Sequence, residues 1–346
     1  MANNKKKPKI NRDLITLSKL AHRKKKEGRY KEAEEKYRLA LKIDNNNVYI
    51  LVGLGDLKRL NKEFKEATSY YQRALEVEKD NKFALAGMGD AYRGLKEVDK
   101  ALEVWLHYLT LNPDDHRVLT RVADGFKKKK DFERSKEYYF SALNKNPDDP
   151  YALMGLGTIY AREENSEEAL KFFRKFIDIS DRPIIALTSA ANIYRKQRQY
   201  EKAMDYYERV LELDPRNIYG WHGKADCFRG IKQYHSAIEA WEMALKHGMD
   251  SRIVMTRIGD TYLSLGNFEH AEVNYMKALA LGYDKYAYLG LARIHTEANH
   301  MDKALKILTM LLEKEPNDAR IAAEVKGFAE RYPDAEEQLG KLNKSA

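Results

Sequence analysis

The sequence predicts an all-α chain of stacked helix–turn–helix repeats, and three observations carry that reading. Pro113 and Pro147 lie 34 residues apart, and Pro147 and Pro215 lie 68 apart, twice that period. A constant period of about 20–50 residues marks a stacked repeat architecture. A frame of that length started at Leu14 places the same residue types in the same columns nine times over. The recurring columns are three and four residues apart, the spacing of a helix face rather than the alternation of a strand.

The frame divides the chain into repeats at 14–47, 48–81, 82–115, 116–149, 150–183, 184–217, 218–251, 252–284 and 285–318; the eighth has 33 residues and the others 34. Each opens with a helix carrying a large residue at column 4 (Leu17, Leu51, Leu85) and a small one at column 8 (Ala21, Gly55, Gly89). Column 11 is often aromatic, as at Tyr92, Phe126 and Tyr160. A turn follows near column 15, with Gly28 and Gly266 among its residues. The second helix carries a small residue at column 20 (Ala33, Ala67), an aromatic at column 24 (Tyr37, Tyr71, Trp105) and an aliphatic at column 28. The small residue lets the neighbouring helix approach, and the aromatic one turn later fills the space beyond it. Pro113, Pro147, Pro215 and Pro316 all fall at column 32, where they stop the second helix.

Residues 319–346 read as a cap and tail. Ala319 to Arg331 places Ile321, Val325 and Phe328 on one helix face, the solvating end that an open stack requires. Pro333 ends it, and Asp334 to Leu342 reads as a short last helix. Residues 1–13 form a basic arm, expected to be disordered, with Lys5, Lys6, Lys7, Lys9 and Arg12.

Composition excludes several classes. The 346 residues are 43% hydrophobic and 33% charged, with net charge +9, unlike a disordered chain. Eight prolines and 19 glycines are too few for collagen or a low-complexity chain. One cysteine, Cys227, rules out an intrachain disulfide and fits a reducing, cytoplasmic setting. No apolar run approaches the ~20 residues of a membrane helix, so no membrane insertion is expected.

These columns resemble the tetratricopeptide repeat: 34 residues, large at 4, small at 8, Tyr at 11, Ala at 20, aromatic at 24, Pro at 32. Lys24 and Lys58 depart from it at column 11, and repeats 7 and 8 close on loops containing Gly248 and Gly282. The resemblance implies a right-handed superhelical solenoid of antiparallel helix pairs, with a concave groove lined by the first helices. It also implies that columns 2, 5, 9, 12 and 13, roughly opposite the core stripe, face that groove.

Three ladders stand on those columns. Column 2 is aromatic in five repeats, including Tyr49, Phe83, Tyr151 and Tyr219. Column 9 carries Asp in five, including Asp56, Asp90, Asp124 and Asp226, with Asn192 in repeat 6. Column 12 is basic in six, including Arg59, Arg93, Lys127, Arg195 and Arg229. Arg117 and Arg121 add positive charge in repeat 4. Such a surface suits a non-enzymatic scaffold that binds an extended or helical protein segment: rings pack on side chains, arginine forks take carboxylates, and Asp takes amides or basic groups. The alternative for any one Asp–Arg pair is that the two, three residues apart, satisfy each other.

Two subclasses of the resembling family do not fit. One grips C-terminal carboxylates; Arg117 and Arg121 match its last pair, but Val52, Asp56 and Gly87 replace its other donors. The other carries asparagines at column 6, where this chain has mostly glycine. These glycines either admit a closely approaching ligand or allow close helix packing, the latter slightly favoured.

No catalytic machinery emerges. Gly53/Gly55, Gly87/Gly89 and Gly155/Gly157 lie inside helices and lack the third glycine of a dinucleotide fingerprint. The nine histidines show no ligand spacing, so no metal and no cofactor are expected. Nucleic acid is the alternative partner, held by the basic arm and the column-12 bases with tyrosines to stack on; acids in the same groove oppose it.

Overall fold

The structure is a computed structural model that describes residues 12–333. The lysines of the basic arm and the last helix expected from Asp334 to Leu342 lie outside the described residues. All 19 elements are α-helices, and no strand occurs among the described residues. The first helix starts at Arg12, two residues inside the stretch assigned to the arm.

The chain divides into two compact units, one up to Ile179 and one from Ser180. The first holds five helix pairs: α1 (Arg12–Lys26) with α2 (Tyr30–Ile43), α3 (Val48–Leu60) with α4 (Phe64–Val77), α5 (Lys82–Gly94) with α6 (Val98–Leu111), α7 (His116–Lys128) with α8 (Phe132–Lys145), and α9 (Pro150–Arg162) with α10 (Ser166–Ile179). The second holds α11 (Ile184–Lys196) with α12 (Tyr200–Leu213), α13 (Ile218–Gly230) with α14 (Tyr234–Lys246), α15 (Ser251–Ser264) with α16 (Phe268–Ala280), α17 (Lys285–Glu297) with α18 (Met301–Lys314), and a final α19 (Ala319–Arg331). Within each unit a second helix packs on its own partner and on the next first helix. Ile321, Val325 and Phe328 bury one face of α19 against Leu308, Leu311 and Leu312 of α18.

Each core cluster takes side chains from one pair and from the next first helix. Tyr71, Ala67 and Ala74 of α4 join Leu51 of α3 and Ala84, Met88 and Ala91 of α5. The central aromatic is threaded between two glycines. A Cβ on Gly55, in its own repeat, would sit 2.7 Å from the Tyr71 ring, and one on Gly87, in the next, 2.4 Å. Tyr275 lies in the same way between Gly259 and Gly290. The column-6 glycines are therefore filled by the preceding repeat's aromatic, which is the close-packing reading of that column.

All nine turns place column 15 in the left-handed region, from Asn299 at φ 57° to Gly28 at 75°. Only Gly28 and Gly266 are glycines; Lys62, Lys96, Lys130, Glu164, Arg198, Lys232 and Asn299 hold the others. The N–H of Glu63 donates to the Lys58 carbonyl at 2.8 Å, and that of Lys62 to the Arg59 carbonyl at 3.0 Å, the closure of a Schellman cap. A cation there also sits at the negative end of the first helix.

The column-11 lysines have a structural explanation. Lys58 is buried, with its ammonium 2.7 Å from Glu63, 3.0 Å from Glu66 and 3.1 Å from Glu34. A buried cation is tolerated only when paired and hydrogen-bonded. Lys24 meets Glu32 at 2.7 Å.

Candidate functional site

Most first helices are started by an Asn or Asp side-chain cap, whereas α11, with Pro183 at that position, has none. Asn81 accepts from the N–H groups of Phe83 and Ala84 at 3.1 and 3.0 Å. Asp149 accepts from Tyr151 and Ala152 at 3.1 and 3.0 Å, and Asn217 from Gly220 at 3.0 Å. Asp and Asn are favoured here because they satisfy the orphan N–H groups of the first turn. The residue just inside the cap is column 2, and it projects from the stack: Tyr49 is 54% exposed, Phe83 64%, Tyr151 71% and Tyr219 65%. Arg117 takes this place in α7 and is also exposed, with no ion pair or hydrogen bond to its guanidinium among the described residues. Tyr49 and Phe83 wall one cavity of about 400 Å³ on α3 and α5, floored by Val48 and Val52 and edged by Lys25 and Asp56.

Columns 9 and 12 are more deeply engaged. The Tyr71 hydroxyl donates to Asp56 at 2.8 Å, and Lys25 of the preceding repeat donates to the same carboxylate at 2.9 Å. Arg59 stands 3.9 Å from Asp56 and 3.7 Å from Asp90 of the next repeat. In the second unit, Arg195 reaches Asn192 at 3.3 Å and Asp226 at 2.6 Å, and Arg229 reaches Asp226 at 3.2 Å and Asp260 at 3.7 Å. Each of these three arginines thus bridges its own column-9 residue to the next one. Both ladders are interrupted in repeat 5, where Thr158 and Ala161 occupy columns 9 and 12.

Tyrosine at column 24 is the functional feature that sequence reading missed. It was read as core filler, but its hydroxyl crosses the stack to hold the column-9 residue: Tyr71 to Asp56, Tyr139 to Asp124, Tyr207 to Asn192 and Tyr275 to Asp260. Burial pushes the Tyr207 phenol up to about 12 and raises the other three further, so all four remain donors. The signal in the sequence is the coincidence of tyrosine at column 24 with Asp or Asn at column 9 in repeats 2, 4, 6 and 8.

Repeats 3 and 7 carry Trp105 and Trp241 instead, and both indole N–H groups are buried without an acceptor. Their column-9 acids, Asp90 and Asp226, are 8% and 9% exposed, so neither is the open groove acid that sequence spacing suggested. Arginines replace the missing phenol. Arg93 and Arg121 stand 3.2 and 3.3 Å from Asp90, whose Oδ1 accepts no hydrogen bond. Arg121 is therefore turned inward, while Arg117 one turn away is not. Lys127 pairs with Asp124 at 3.2 Å.

Among the described residues no three His, Cys, Asp or Glu side chains are grouped to hold a metal ion. No helix there is long and apolar enough to cross a membrane. Cys227 is buried, and burial pushes its thiol up to about 12, leaving little thiolate.

Tetratricopeptide-repeat profiles match residues 16–47, 48–81, 123–182, 184–217 and 262–323. The chain belongs to the tetratricopeptide repeat family. Two solved structures share the fold of this repeat protein. A tetratricopeptide repeat protein from Parabacteroides merdae is 19% identical, over 72% of this chain and 99% of its own, with a TM-score of 0.53. The pilF protein of Pseudomonas aeruginosa is 19% identical, over 62% of this chain and 97% of its own, with a TM-score of 0.55. No curated protein matches the chain.

Proposed function

We propose that the first-helix faces of this repeat protein bind a segment of another protein, which makes the chain a non-enzymatic interaction scaffold. One observation carries the reading: Tyr49 and Phe83, each more than half exposed, wall a single cavity of about 400 Å³. Large rings held in water beside a cavity are costly to leave uncovered and mark recognition surfaces. The occupant supplies an apolar or aromatic anchor for that cavity. Arg117, with no internal partner, faces an acidic group of the same segment.

The column-9 acids, the Tyr71-type phenols and most column-12 bases hold that surface in shape. Their charges are directed at one another, and the bases a nucleic acid would need are already opposite carboxylates.

The test uses peptides selected from a random displayed library on the wild-type chain. Tyr49→Ala with Phe83→Ala weakens the selected peptides at least tenfold, about 1.4 kcal/mol. Leu39→Ala with Val77→Ala, which trims exposed apolar residues on second helices, leaves binding intact. Equal loss in both variants, or loss in neither, removes the proposal.

A further inference from the structure

The end of the second unit carries a separate cavity of about 420 Å³, to which four successive first helices each contribute one arginine: Arg229, Arg257, Arg293 and Arg320. Two carboxylates, Asp260 and Glu324, share it, so positive charge is in excess. The acids are unevenly engaged. Glu324 is held by Arg293 at 2.6 Å. Asp260 accepts from Tyr275 at 2.9 Å, and Arg257 and Arg229 stand 3.6 and 3.7 Å from it, beyond hydrogen-bond length. Among the described residues the guanidinium of Arg257 makes no hydrogen bond, and that of Arg320 rests 5.1 Å above the Tyr286 ring with none either. Two planar forks thus line one cavity with their donors uncommitted.

Clustered like charges repel unless an anion lies between them, and arginine forks match an oxyanion bidentately. The buried Leu289 in the wall strengthens that attraction by excluding water. Arg229 also meets Asp226, which Arg195 holds; with that pair counted, five guanidiniums against three carboxylates leave an excess of two positive charges, which a phosphomonoester dianion balances and a single carboxylate does not. A phosphodiester backbone offers one charge per group and a continuous track, whereas this cavity is flanked by Asp260 and Glu324. We propose that the cavity is a receptor for a phosphorylated side chain of a bound protein segment, an inference that rests on the first-helix faces being binding surfaces.

The test is a titration of the full chain at low ionic strength with a five-residue phosphoserine peptide, its serine and glutamate counterparts, and inorganic phosphate. The phosphoserine peptide binds at least tenfold tighter than the other three probes. Arg257→Gln and Arg320→Gln each weaken it at least tenfold with unchanged circular dichroism, while Lys277→Gln on the second helix α16 does not. Binding of the glutamate peptide at equal strength, or indifference to both arginine variants, overturns the proposal. Inorganic phosphate binding as tightly as the peptide assigns the cavity to free phosphate and overturns its role in partner recognition. The Tyr49 and Phe83 variants test the aromatic surface separately, so either reading fails without the other.

Discussion

The hydroxyl of Tyr71 donates to Asp56 at 2.8 Å across fifteen residues, from the second helix of a repeat to the outer face of its first. The ring is buried between two glycines, and its hydroxyl holds Asp56, which lines the cavity walled by Tyr49 and Phe83. Core packing and the shape of the candidate binding face are thus set by one side chain. Tyr71→Phe keeps the ring and removes the donor, leaving Asp56 with Lys25 alone as a close partner. The expected cost is about 1.5–3 kcal/mol, the range for a hydrogen bond to a charged group. Urea unfolding followed by circular dichroism measures it, and no shift in midpoint would make the bond incidental.

Glycine positions separate by their surroundings. Gly87→Ala drives a Cβ to 2.4 Å from the Tyr71 ring and destabilises by about 1–3 kcal/mol, as overpacking does. Gly327→Ala, in α19 with no atom within 4 Å of the new Cβ, stabilises by about 0.5–1 kcal/mol through helix propensity. Thermal midpoints of the two variants move in opposite directions.

The left-handed turns offer a second route to stability. Lys96 and Lys130 hold φ 63° and 62°, where a side chain costs about 1–2 kcal/mol relative to glycine. Lys96→Gly and Lys130→Gly each raise the unfolding midpoint, the gain reduced by the lost cation at the helix end and by the freer unfolded chain. A fall in midpoint would show that the lysine's charge outweighs its backbone strain.

Most of this architecture was legible from period and residue type. Helix pairs, the core columns and the capping helix follow from which residues are small, aromatic or proline, because those choices are dictated by packing. The polar network was not legible, because a tyrosine reads as an apolar ring until its hydroxyl is placed. Asp90 and Asp226 look like open groove acids at helical spacing, yet Trp105 and Trp241 beside them lack the phenol that holds the column-9 residue in repeats 2, 4, 6 and 8. That draws arginines over the acids instead. The arginine cavity was missed because Arg257, Arg293 and Arg320 occupy three different columns.

Burial holds the His222 imidazole below its ordinary range, against the pull of Asp226, with the ring edge-on to Trp241 at 4.7 Å. His22 and His295 are lowered by burial in the same direction. Unfolded histidines titrate near about 6.5, so the unfolded chain takes up protons there that the folded chain refuses. Stability falls as pH drops from about 7.5 to about 5.5. Replacing His222 with phenylalanine keeps a ring against Trp241 and reduces that loss, measured as the change in urea midpoint between the two pH values. An unchanged pH dependence would mean that His222 does not contribute to it.

The central claim is that the Tyr49–Phe83 surface receives a protein segment, and site-specific photo-crosslinking tests it most directly. A benzophenone amino acid at position 83 should crosslink to the library-selected peptide through its apolar anchor, while the same group at position 77, on the second helix, should not. Mass spectrometry of the crosslinked products reads the outcome. Crosslinking at position 77 equal to or above that at position 83 would contradict the account.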